Sequence, residues 1–333
     1  MNARLISSLI LVLLLSHCAP GQQGLRGIDE TGPPPEGVTA GDAGGYKQKL
    51  MRQIAVEEEA VRKAESSHAT NVERGKAYVR LALLYSDAAQ WGRAEAGLEH
   101  AVSLLRHASE PDADLATAIG HLASLHLLMG KVRESEREDE EALKLRQEIG
   151  DQLQIARSRS DLAILYLNKQ KYEKARDLSR QAETEFVTNG QASAMDRITA
   201  RFTLSEALCY LKDCPSAIPL LKAALDEAKA TMRPDDFPLG LSTFLLGYAY
   251  WKSGDMRGAA EYLERGAAQM NAQLGWGHPA YLKALGCYAQ FLHENHQGEA
   301  ANVVERRIRQ AQAVVDVHSL QTAQGMFGID GLR

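Results

Sequence analysis

The chain lacks most of what would announce a reaction or a nucleic-acid partner. Its net charge is only -5 over 333 residues, with acidic and basic side chains interspersed, whereas a nucleic-acid binder normally shows a basic face or a high pI. Four cysteines are too few for a disulfide framework. No glycine-rich loop leads into Lys-Ser or Lys-Thr, and no nucleophile elbow is present, so the short signatures of phosphate gripping and acyl transfer are missing. His293 and His296 stand three apart and His121 and His126 five apart, but neither pair has a Cys or carboxylate at zinc spacing. The sequence therefore predicts no catalytic residue, no metal and no cofactor, and an enzyme would need a site assembled from distant positions.

Long apolar runs are also absent beyond the N-terminus. Arg4 is followed by an apolar stretch from Leu5 to Leu15, broken only by Ser7 and Ser8, and then by Cys18, Ala19 and Pro20. A membrane-spanning helix takes about 20 residues, so residues 1–19 read as an export signal, with an uncleaved anchor as the alternative. The predicted location is periplasmic, cell-envelope or secreted. Residues 20–45 carry eleven glycines and prolines between Gly21 and Gly45, apart from Pro20, with little apolar surface to offset ordering, and read as a flexible linker.

What the chain does have is a repeat. A large apolar residue, a small one beside it, a third residue four places on from the first and an Ala or Ser thirteen places on recur six times. They are Leu81-Ala82-Tyr85-Ala94, Leu122-Ala123-His126-Ser135, Leu162-Ala163-Tyr166-Ala175, Leu204-Ser205-Leu208-Ala217, Leu246-Gly247-Tyr250-Ala259 and Tyr288-Ala289-Leu292-Ala301. The first members lie 41, 40, 42, 42 and 42 residues apart, a fixed period that marks a solenoid of stacked supersecondary units. In the third repeat Leu162, Ala163, Tyr166, Tyr172, Ala175, Leu178 and Ala182 recur at spacings of three and four, which predicts two amphipathic helices joined near Asn168 to Lys171. Residues Tyr46 to about Ser67, with Leu50, Ile54, Val61 and Ala64 on one face, read as an N-terminal capping helix. The helical domain is expected over 46–312, and residues 313–333 as a C-terminal tail.

Two smaller readings follow from the residues. The acidic run Glu134, Glu136, Glu138, Asp139, Glu140 and Glu141, interleaved with Arg133 and Arg137, reads as a charged outer helix face. Cys209 ends one helix and Cys214 lies in the following turn beside Pro215, close enough for an oxidising compartment to join them, the alternative being small buried hydrophobes.

The order of large, small, aromatic and small residues resembles the tetratricopeptide repeat over roughly residues 75 to 310, most clearly at Leu246-Gly247, Tyr250, Gly254-Asp255 and Ala259. The period near 42, and Leu274-Gly275-Trp276-Gly277-His278-Pro279 before the sixth repeat, resemble the kinesin-light-chain subtype. Departures are His126 in an aromatic or apolar place, Ser135 for Ala, and Glu305 near an apolar place. Leu15-Ser16-His17-Cys18 resembles the bacterial lipoprotein box apart from His17, which leaves lipid at Cys18 as an alternative to simple cleavage. The resemblance implies an all-α, right-handed superhelical solenoid of antiparallel helix pairs, non-catalytic, that holds a partner protein or extended peptide in its concave groove.

Carried over by position, the groove residues implied are Lys76, Arg80 and Asp87; His121 and Ser124; Arg157, Ser160, Asp161 and Asn168; Phe202, Glu206 and Tyr210; Phe244, Tyr248, Trp251 and Lys252; and Lys283, Gln290, His293 and Glu294. That groove is polar in its N-terminal half and aromatic in its C-terminal half. Arg80 and Arg157 are expected to receive carboxylates of a partner, and the aromatic half to supply an apolar anchor or, as the alternative function, the cluster Phe244, Tyr248 and Trp251 to stack on a small molecule such as a sugar ring.

Overall fold

In the second to sixth repeats the first helix ends in the same turn, and that turn sets the hairpin. A computed structural model describes residues 41–326 apart from 68, 89, 108–112, 234–235 and 277; residues 1–40, with the expected signal and lipid site, lie outside the described residues. Thirteen helices are described: α1 (Gly41–Ser66), α2 (Asn71–Asp87), α3 (Trp91–Arg106), α4 (Ala113–Leu128), α5 (Val132–Ile149), α6 (Gln152–Asn168), α7 (Tyr172–Thr188), α8 (Ala194–Tyr210), α9 (Cys214–Thr231), α10 (Phe237–Lys252), α11 (Met256–Leu274), α12 (Pro279–Glu294) and α13 (Gly298–Met326).

In the third repeat the Lys171 amide donates to the Tyr166 carbonyl at 2.8 Å and the Gln170 amide to the Leu167 carbonyl at 2.9 Å, the paired bonds of a Schellman cap. The same pair closes the turn at His126, Leu208, Tyr250 and Leu292, the third members of the repeat pattern. Such a cap needs a left-handed residue, and the position is occupied by Gly130, Gln170, Lys212, Gly254 and His296, with φ of 76, 56, 65, 86 and 58°. Two glycines and three side-chain-bearing residues thus adopt one conformation because the hairpin geometry demands it.

Within each hairpin the two helices cross over small residues. Ala94, Ser135, Ala175, Ala217, Ala259 and Ala301 are all fully buried, as are Ala82, Ala123 and Ala163 on the facing first helices. The crossing of α10 and α11 is the most restrictive. A Cβ on Gly247 would lie 2.6 Å from the Leu263 backbone nitrogen, and one on Gly266 would lie 2.5 Å from that of Phe244.

The chain divides into two compact units, one holding α1 to α9 and the other α10 to α13. In the first, each hairpin packs on the next, and the first helices of successive repeats also meet: α2 with α4, α4 with α6, and α6 with α8. Its N-terminal end is covered by α1, whose Leu50, Ile54 and Val61 join Leu81, Tyr85, Leu98 and Leu105 in one core. In the second, α10 packs on α11 and α12 on α13, with α11 against α12. Helix α1 begins at Gly41 rather than Tyr46, so residues 41–45 are helical instead of linker, and α13 runs to Met326, past the expected end at 312.

Cys209 and Cys214 are joined by a disulfide across the turn between α8 and α9, so of the two readings left open for these residues the structure takes the bridge.

Candidate partner-binding face

The face lined by the first helices holds the positions inferred for a partner, and the structure divides them into those already engaged and those presented. Arg157 on α6 is engaged. Its Nε and Nη2 donate to Asp196 Oδ1 and Oδ2 on α8 at 3.1 and 2.9 Å. Asp196 in turn caps its own helix, accepting from the Ser193 amide at 3.0 Å and hydroxyl at 2.8 Å, the reciprocal capping box. Hydrogen bonds from Arg157 and Ser193 outweigh burial and hold the Asp196 carboxyl below the usual range. Arg80 donates to Glu57 on α1 at 3.0 Å, and the Lys76 ammonium lies 2.6 Å from Asp114. Arg80 and Arg157, expected to receive a partner's carboxylates, each meet a carboxylate of the chain itself: Arg80 ties the first repeat to the capping helix α1, and Arg157 ties the third repeat to the fourth.

Helix α5 departs further from expectation. Glu138 and Asp139 are buried, not outward-facing, because Ser135, Asp139, Ala142 and Arg146 fall on the one side of α5 that meets the first helices. Glu138 Oε2 and Glu95 Oε1 lie 2.7 and 2.9 Å from the two ring nitrogens of His126, and Lys131 bonds the same Glu95 oxygen. That bridge explains why an imidazole stands where the pattern puts an aromatic. Burial raises the Glu138 carboxyl, while the Lys131 bond lowers that of Glu95. Deeper in, Arg146 Nη1 donates to Ser158 Oγ at 2.6 Å and lies 4.0 Å from Asp161. Gly120 makes room for it, since a Cβ there would sit 3.3 Å from Arg146 Nη2. Burial pushes Asp161 up to about 6 against the opposing pull of Arg146, and raises Asp139 with Asp161 adding to the effect. Burial draws His121, beside the same arginine, down to about 4.

In the second compact unit the inferred aromatic anchors are packed. Trp251 is 3 % exposed, its Nε1 donates to Glu294 at 2.8 Å, its ring meets Phe291 edge-on at 5.9 Å, and the Lys252 ammonium sits 3.3 Å from its ring centroid. Trp251 is thus corrected from a partner anchor to a buried core residue with its polar edge satisfied. Phe244 is likewise buried, as is Phe202 on α8 of the first unit. Tyr248 is partly exposed and meets Trp251 edge-on at 5.8 Å. Exposed His293 bonds Glu305 at 3.0 Å, and that bond accounts for a carboxylate in an apolar place of the pattern.

Asn168 is exposed at the end of α6, and Tyr210, whose ring stacks on Tyr172, is partly exposed at the end of α8. Glu206, one turn before Tyr210, is buried, and neither of its side-chain oxygens has a hydrogen-bond partner. Among the described residues no three His, Cys, Asp or Glu side chains gather as a metal site would need. The inward carboxylates of α5 were the residues that sequence reading missed. Their signal was the helical phase from Ser135, four and eleven places before Asp139 and Arg146 respectively becoming readable only once Ser135 is taken as inward.

The profile of the tetratricopeptide repeat matches residues 114–184, from α4 to α7. Over these two hairpins the chain is similar to tetratricopeptide repeats. Solved structures share the fold: BtubC (BKLC) from P. vanneervenii is 24 % identical, with 69 % of this chain and 94 % of that one covered and a TM-score of 0.56. The apo form of RapI is 14 % identical over 82 % of this chain and 95 % of its own, with a TM-score of 0.64. The Rap conjugation gene regulator of the plasmid pLS20, solved in complex with the Phr* peptide, is 13 % identical over 88 % of this chain and 75 % of its own, with a TM-score of 0.64. No curated protein sequence matches the chain.

Proposed function

We propose that this tetratricopeptide-repeat chain is a non-catalytic interaction scaffold, exported from the cytoplasm, that holds a partner protein or extended peptide along the first helices of its repeats. The observation that carries the reading is the contact of α2 with α4, α4 with α6 and α6 with α8, which makes one continuous face from successive repeats. The pLS20 regulator, of similar fold, was solved with a peptide, and this supports a peptide-sized partner. Export rests on the N-terminal signal and is supported by the Cys209–Cys214 bridge, since disulfides persist in oxidising compartments. Lipid at Cys18 belongs to the same proposal as an alternative mode of tethering. A sugar stacked on Trp251 is not advanced, because that ring is buried and its N–H is bonded.

The test is capture from the native cell envelope with the full chain and with an Asn168→Ala, Tyr210→Ala double variant of unchanged circular dichroism. One recurring protein partner, retained at least about tenfold less by the variant, is the expected result. A scaffold reading does not survive the absence of any recurring partner, or a partner that the variant retains in full.

A further inference from the structure

Glu206 is anomalous among the buried charges of the first compact unit. Asp196 has Arg157, Glu138 has His126 and Arg146 has Ser158. Glu206 is 7 % exposed, yet both Oε1 and Oε2 are without a hydrogen-bond partner, an arrangement that leaves the desolvation of a carboxyl uncompensated. Burial pushes this carboxyl well above the usual range, and the neighbouring Tyr210 hydroxyl offsets the rise only in part.

Its surroundings have a definite chemistry. The rings of Tyr172, at the start of α7, and Tyr210, at the end of α8, stack with centroids 4.5 Å apart and planes 20° from parallel. The Glu206 charge is felt by the Tyr172 hydroxyl, which burial and this carboxylate together raise. Tyr166, Tyr172 and Tyr210, each partly exposed, pack over buried Leu167, Ala175 and Ala207. The ammonium groups of Lys169, Lys171 and Lys174 gather 6.0, 5.5 and 5.3 Å from the Tyr166 ring, and none of them bonds Glu206. A desolvated carboxyl beside electron-rich ring faces is a receptor for one positive charge: a cation favours its ionised form and takes it as counter-ion, and the rings supply quadrupole attraction and apolar cover for the methylene stem. An anion would be repelled, and a neutral apolar group would leave the carboxyl unpaired.

We infer that Glu206, Tyr172 and Tyr210 form a subsite for a single cationic side chain, the Lys or Arg of an extended peptide lying along the first helices. This deepens the scaffold reading and rests on it for the peptide, while the subsite itself is tested without any cellular partner. The probes are the peptide acetyl-Ala-Ala-Arg-Ala-Ala-amide and its lysine, citrulline and glutamate counterparts, titrated by calorimetry and ligand-observed NMR into the full chain. The Arg and Lys peptides are expected to bind at least about tenfold tighter than the citrulline and glutamate peptides. Glu206→Gln should abolish that preference, and Tyr172→Leu should weaken the Arg peptide several-fold.

A carboxyl with a purely structural role would give the opposite pattern in a second readout. Glu206→Gln would then lower the melting temperature, whereas a subsite carboxyl predicts an equal or higher one. Equal binding of the Arg and citrulline peptides, or an undiminished preference in Glu206→Gln, overturns the inference. The two readings also fail separately. A captured partner lost on Asn168→Ala, Tyr210→Ala but retained by Glu206→Gln leaves the scaffold standing and removes the subsite. Charge-selective peptide binding with no recurring cellular partner does the reverse.

Discussion

Gln170, Lys212 and His296 occupy left-handed backbone, with φ of 56, 65 and 58°, at the place where Gly130 and Gly254 stand in other repeats. The conformation costs a residue with a Cβ roughly 1–2 kcal/mol, against which glycine's extra freedom in the unfolded chain must be set. Gln170→Gly is therefore expected to stabilise the protein by about 0.5 kcal/mol and Gly130→Ala to destabilise it by about 1 kcal/mol, read as shifts in urea midpoint. Titratable residues act at the same scale. His121, at about 4 in the fold against an ordinary 6.5, binds fewer protons folded than unfolded, so its contribution to stability is lost as pH falls through that window. Asp161, at about 6 against 3.8, binds more protons when folded and contributes stability on the same descent. Replacing His121 with Gln should leave only the second effect, so the variant's melting temperature should fall less than the wild type's between pH 7 and pH 5. An identical fall in both proteins would refute this.

Elements meet through small residues, and the tolerance of each crossing differs. At α10 and α11 a Cβ on Gly247 would strike backbone atoms, 2.6 Å from the Leu263 nitrogen, so a helix must move rather than a side chain rotate. Gly247→Ala is expected to cost about 1–3 kcal/mol, comparable to Ala163→Leu at the crossing of α6 and α7, where the alanine is already fully buried. The α8–α9 turn carries a covalent tie in addition to its hydrogen bonds. By loop-closure entropy a Cys209→Ser, Cys214→Ser variant should lose about 2 kcal/mol, measured by chemical denaturation under non-reducing conditions.

For the whole molecule, stability passes from hairpin to hairpin, and an uncovered end exposes a core that no single hairpin can bury alone. Helix α1 covers that end in the first compact unit through Leu50, Ile54 and Val61. Truncating Ile54 to Ala should cost about 3 kcal/mol. Deleting residues 1–66 should cost far more, seen as a lower melting temperature and concentration-dependent light scattering. Retention of the wild-type melting temperature would show that the cap is dispensable.

Much of this was readable in advance because a period is a local signal repeated many times. The spacing of Leu162, Tyr166, Tyr172 and Ala175 placed the hairpin turn at Asn168 to Lys171, and α6 ends at Asn168 while α7 starts at Tyr172. Leu50, Ile54 and Val61 shared a face in the sequence and share a core in the fold. The candidate face was legible as positions but not as contacts. Arg157 is three places along the helix from Ser160 in any reading, but only the approach of α8 shows that it faces Asp196.

The sequence alone determined the hairpin, its repeat length and the capping helix, since helical periodicity and small residues at fixed offsets act within about forty residues. Only tertiary structure decided which polar groups are spoken for: Arg80, Arg157 and Trp251 find partners 23, 39 and 43 residues away, while Glu206 is buried next to Tyr210. Pairing across repeats depends on how one hairpin settles on the next, a geometry fixed by side-chain volumes at the interface rather than by any spacing along the chain.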